Sequence, residues 1–151
     1  IFYFIKNLDD TSVRGSTFYI IILGYLTDVA QSLEFISKKS YKHINNNHKA
    51  LKFNQIKDLQ EINRSFDHLL GDIVSIFHNQ EFEKLEDILA RKDKVFEDIS
   101  TMIEKQIQRT RTEESSPKNT TLYFSLLLET RDLVTALINL IDEYYNSYKK
   151  N

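Results

Sequence analysis

Glycine and proline occupy only four positions, Gly15, Gly24, Gly71 and Pro117, in a chain of 151 residues. A sheet protein of this size needs many turns, so such scarce punctuation favours long uninterrupted helices. The apolar residues bear this out by recurring at alternating steps of three and four, the mark of one buried helical face. A first helix from about Ser16 carries Tyr19, Ile22, Leu26, Val29, Leu33 and Ile36 and closes in the asparagines of HINNNHK, residues 43–49. A second carries Leu59, Ile62, Phe66, Leu69, Ile73 and Ile76 and stops at HNQ, residues 78–80. The third carries Phe82, Leu85, Leu89, Phe96, Ile99 and Ile103, with Lys92 in an inward slot from which its ammonium can snorkel, and ends in RTRTEESS. Ser116 and Pro117 then read as N-cap and first helical position of a fourth, bearing Tyr123, Leu126, Thr130, Leu133, Leu137, Leu140 and Tyr144. Short links between successive helices predict an all-α, antiparallel up-down four-helix bundle over residues 14–151, with residues 1–13 as a connecting segment from an upstream region.

Several function classes are excluded by composition. There is no cysteine, so neither a disulfide framework nor a thiolate metal site is available. The formal charge is −2, divided as +2 over residues 1–50, −4 over 51–100 and 0 over 101–151, so no region is basic enough for a nucleic-acid footprint. The longest apolar runs, IFYFI and FYIIILGYL, fall short of the ~20 residues that span a bilayer, which predicts a soluble fragment. Its first residue, Ile1, stands inside an aromatic-aliphatic run with no methionine or basic leader, the expectation for a piece of a longer protein.

Shifting the chain by 104 residues lays RGSTFYIIILGYLTDVAQSL over KNTTLYFSLLLETRDLVTAL, so that Thr17, Tyr19, Leu23, Asp28 and Leu33 meet Thr121, Tyr123, Leu127, Asp132 and Leu137. Chance matching of two leucine-rich helices and a true duplication both account for this. Under duplication, Asp28 and Asp132 are equivalent.

Candidate sites are few. His43 and His48 are five apart, and on a continuous helix would point roughly 140° away from each other, a poor chelate. Asn46 and Asn47 compete with helical hydrogen bonding, so His43, Asn46, Asn47 and His48 read first as a helix end and only then as a binding site. Asp28 and Asp132 flank apolar stripes and, if brought together, need a cation; Arg131 or Lys92 is the expected one, and a metal completed by Glu129 the alternative. Glu83, Glu86 and Asp87 complement a helix N-terminus. Arg109, with Arg111 and Lys118, surrounds the third connection, where it reads as a solvated loop or an anion site. Asn119, opening the last helix, is a further candidate. With no Glu-x-x-His, no glycine-rich phosphate loop and no assembled nucleophile and base, neither a di-iron oxidase nor another enzyme is expected.

Four ordered stretches, VRGSTFYIIILGYLTDVAQSLEFI, YKHINNNHKAL, EKQIQRTR and KNTTLYFSLLLETRDLV, together resemble the soluble C-terminal region of extended bacterial Pit-type inorganic phosphate transporters, itself similar to PhoU-like domains. The resemblance spans Arg14 to about Leu140. It implies a non-catalytic cytoplasmic domain at the inner membrane that modulates phosphate uptake, with the membrane-spanning part of the transporter, or a second copy in a homodimer, as partner. The acidic Glu/Asp-x-x-x-Asp metal motifs of PhoU-like proteins are incomplete here, because Gly24 and Leu128 stand four residues before Asp28 and Asp132. The resemblance therefore implies no cofactor, a divalent metal or iron being the minor alternative. Outside the resemblance, a free-standing interaction or signalling module and a metal-binding bundle remain open.

Overall fold

The computed structural model describes residues 10–112 and 116–149, and the side chains within them other than those of residues 10–12 and 14. Four long helices account for nearly all of these: α1 (Asp10–Asn45), α2 (Phe53–Asn79), α3 (Leu85–Thr112) and α4 (Pro117–Lys149), with a 3-10 turn at Phe82–Lys84 leading into α3. There is no strand among the described residues. Helix α1 begins at Asp10, ahead of the expected Ser16, while the expected connecting segment lies mostly outside the described residues.

The connections follow local chemistry. Asn47 has φ 51° and Gln80 φ 59°, two non-glycine residues in the left-handed region that reverse the chain after α1 and α2. Gln80 N–H donates to Ile76 O at 2.9 Å, and Gln55 Oε1 accepts from Lys52 N–H at 3.0 Å to close the start of α2. Asn119 N–H donates to Ser116 Oγ at 3.4 Å, the cap expected ahead of Pro117.

Three helices build the core. Ile62, Leu69, Ile73 and Ile76 from α2 meet Ile88, Val95, Ile99 and Met102 from α3 and Tyr123, Leu127, Val134, Ile138 and Ile141 from α4. In α3 the fully buried line is displaced from the expected one: Leu85, Leu89, Phe96 and Ile103 form its half-buried edge. Lys92 at that edge turns its ammonium out to Asp93 at 3.0 Å. At one end Phe82 packs against Tyr144, Tyr145 and Tyr148, with centroids 4.7–5.7 Å apart.

Helix α1 behaves differently. It packs chiefly on α4, whose buried surface also includes Leu122, Ala136 and Leu140, and among its described residues only Ser32 is fully buried. Val29 and Ile36 touch the core, whereas Tyr19, Leu26 and Leu33, expected inside, are 66%, 48% and 51% exposed. The three-four periodicity counted a stripe wider than a single neighbouring helix covers.

Candidate functional site

Where the α1–α2 connection meets the end of α3 and the start of α4, the interior turns polar. Asp58 on α2 accepts a hydrogen bond from the Tyr123 hydroxyl at 2.8 Å and pairs with Arg109 of α3 at 3.3 Å. Tyr123 is fully buried, and the Asp58 and Arg109 side chains retain only 16% and 21% exposure. Burial, then the hydrogen bond to Asp58 and its charge, push the Tyr123 phenol well above its usual range, with Arg109 pulling the other way. The phenol is thus a fixed proton donor, and the carboxylate its acceptor. Gln106, also buried, donates to Thr110 and Thr120 Oγ1 at 3.5 Å and accepts from Arg109 at 3.4 Å.

Above this layer Asn119, 4% exposed, donates through Nδ2 to the Ala50 carbonyl at 2.7 Å and so ties the α1–α2 connection to α4. Its Oδ1 is buried without a hydrogen-bond partner. A cavity of about 560 Å³ opens beside Ala50, lined by Ser40, His43, Ile44, Asn47, His48, Leu51, Ile56, Leu122 and Leu126. The walls are mainly aliphatic, with the two histidines as the titratable groups. The His43 and His48 ring centroids are 5.0 Å apart. Five-residue spacing on a continuous helix separates such rings, but α1 stops at Asn45 and the left-handed Asn47 folds His48 back beside His43. The helix end and the approach of the histidines are therefore one event.

A second cavity, of about 300 Å³, lies between α1 and α4 and gathers Asp28, Glu129 and Asp132 with Gln31, Ser32, Thr135, Ala136 and Asn139. The three carboxylates thus line one cavity. The expected counter-ions are elsewhere: Arg131 lies over the Phe96 ring at 5.2 Å and Lys92 turns to Asp93. Asp28 and Asp132 are exposed, so water can solvate their charges without a cation. Among the described residues, no three His, Asp or Glu side chains converge closely enough to hold a metal ion.

The remaining candidates separate. Arg109, expected in a solvated loop or at an anion, is within α3 and engaged with Asp58; Arg111 and Lys118 are exposed. Asn46 is exposed, its backbone N–H donating to Lys42 O at 3.1 Å. Asp58, Gln55 and Gln106 were not singled out, although Gln55 stands seven residues before Ile62 and Gln106 seven after Ile99, so both prolong buried stripes.

The most exposed apolar surface belongs to α1. Between Arg14 and Asp28 there is no charged residue, and Tyr19, Ile20, Leu23 and Leu26 are all exposed. Among the described residues, Gly15–Asn45 is long and apolar enough to cross a membrane by length and composition, with mean hydropathy 1.3 in its most apolar stretch and 6% of that stretch buried. Counting uninterrupted apolar runs missed this, because small polar residues such as Thr27 and Ser32 break the run without making the helix polar. Comparisons with family models, with curated proteins and with solved structures give no match for the chain.

Proposed function

We propose that the chain is a non-catalytic, PhoU-like accessory domain of an inorganic phosphate transporter, acting on the cytoplasmic side of the inner membrane through helix-surface contacts with the membrane-spanning part. The carrying observation is the uncovered apolar flank of α1. Thirteen consecutive uncharged residues, about 20 Å of helix, expose Tyr19, Ile20, Leu23 and Leu26 where a free-standing soluble module would place charge. Such a surface is stabilised by a partner equally apolar, as a membrane-embedded domain is at its boundary.

Residue pairings support an antiparallel up-down arrangement. Asp28 shares a cavity with Asp132 and Ile44 one with Leu122; Asp72 pairs with Arg91 and Asp58 with Arg109; Arg131 lies over Phe96 and Thr120 meets Gln106. Along α1–α4, α2–α3 and α3–α4, one number rises as the other falls. The four ordered stretches that resemble the Pit-type C-terminal region supply the phosphate assignment.

The coding sequence upstream of Ile1 tests the reading. Several spanning helices encoded in frame support it, and a start codon immediately before Ile1 refutes it. In the full-length protein, deleting residues 14–151 is expected to change the rate or regulation of phosphate uptake while leaving the protein in the membrane; unaltered uptake at every external phosphate level counts against an accessory role.

A further inference from the structure

His43 and His48 present their rings 5.0 Å apart between centroids, inclined at 54°. Two imidazoles bound to one tetrahedral metal ion through nitrogens at about 2.0–2.1 Å have centroids roughly 5 Å apart. The rings are thus already spaced for one shared ion. His43 Nε2 lies 3.1 Å from the Lys49 carbonyl oxygen, which only accepts, so Nε2 carries the proton and donates it. Nδ1 is left with the lone pair. Backbone carbonyls orient metal-binding histidines in this way, fixing the tautomer before the ion arrives.

The surroundings suit a cation. Both rings stand at the C-terminal end of α1, the negative end of its dipole. Ser40 and Asn47, which line the same cavity, are oxygen-bearing neighbours, and the opening to solvent supplies water for the remaining positions. No carboxylate lines this cavity, which disfavours calcium and magnesium; imidazole nitrogens suit zinc, copper and nickel.

We propose that His43 and His48 bind a divalent transition-metal ion of the zinc–copper class at the α1–α2 turn. The ion clamps the last turn of α1 to the segment entering α2, and so fixes the helix whose apolar flank is uncovered. This site is separate from the carboxylates Asp28, Glu129 and Asp132 and does not depend on the phosphate-transport reading.

The test is titration of the purified chain with Zn2+ against a chromophoric competitor, comparing wild type with His43→Ala, His48→Ala and the control His68→Ala, whose residue is exposed on α2. One ion per chain is expected, with affinity lowered at least ~10-fold by either His43→Ala or His48→Ala, given that even supporting residues of metal sites contribute about 10–100-fold. His68→Ala should bind as wild type. Helicity by circular dichroism checks each variant. A parallel measurement needs no variant: Co2+ should broaden the His43 and His48 ring resonances and spare those of His68 and His78. No binding by wild type, loss with only one of the two substitutions, equal loss with His68→Ala, or unselective broadening each overturns the proposal.

Discussion

Replacing Asp58 by alanine removes the acceptor on which two helices converge. The fully buried Tyr123 hydroxyl loses its partner at 2.8 Å, a cost of about 1–3 kcal/mol for an unsatisfied buried donor. Arg109 loses its pair, but at 21% exposure it can turn to water, so that part contributes at most ~1 kcal/mol. The sum, about 1–4 kcal/mol, is a large share of the ~5–15 kcal/mol typical of a domain. Tyr123→Phe alone keeps the Asp58–Arg109 pair and should cost only about 1 kcal/mol. In Tyr123→Phe protein no hydroxyl remains to be stranded, and Asp58→Ala should then cost at most ~1 kcal/mol, leaving a coupling of ~1–3 kcal/mol between the sites. Urea unfolding followed by circular dichroism at 222 nm measures all four corners of the cycle. A coupling within about 0.5 kcal/mol of zero refutes the inference that this hydrogen bond joins α2 to α4.

The raised Tyr123 phenol implies that the folded state holds its proton more tightly than the unfolded chain, so this contribution is complete below the ordinary tyrosine value of about 10 and is lost as pH rises above it; the alkaline decline in stability should be shallower in Tyr123→Phe. Leu127→Ala, in the fully buried part of α4, should cost ~2–5 kcal/mol, whereas Leu26→Ala on the exposed side of α1 should stay within about 0.5 kcal/mol of wild type, both read by urea unfolding. Asn119→Ala removes the bond to Ala50 O but also an orphaned Oδ1, so its cost should be no more than about 1 kcal/mol, while hydrogen exchange in residues 46–52 rises.

Particular residues show what periodicity can convey. The α2 stripe from Leu59 to Ile76 is half-buried to buried throughout, because α2 has neighbours on both sides and one apolar face is enough to meet them. The α1 stripe was equally regular, yet Tyr19 and Leu33 are exposed: spacing reports that a helix has an apolar face, not how many neighbours cover it. Asp28 and Asp132, each beside an apolar stripe in the sequence, line one cavity between α1 and α4. The Asp58–Tyr123–Arg109 layer was not, since Tyr123 counted as apolar, and Asp58 and Arg109 are 51 residues apart with nothing local to pair them. For the histidines, the asparagines that end α1 were recognised, but spacing alone cannot describe rings brought together by the left-handed residue between them.

That the apolar flank of α1 is covered in the intact protein by a membrane-embedded partner can be tested by cysteine labelling, since these 151 residues contain no cysteine and any cysteine elsewhere in the full-length product can be replaced by serine. In membranes carrying the full-length gene product, Leu23→Cys and the exposed control Glu104→Cys are exposed to a membrane-impermeant maleimide from the cytoplasmic side. Such coverage predicts strong labelling at position 104, protection at position 23, and loss of that protection when the chain is expressed from Ile1 alone. Equal labelling at both positions in the membrane contradicts it.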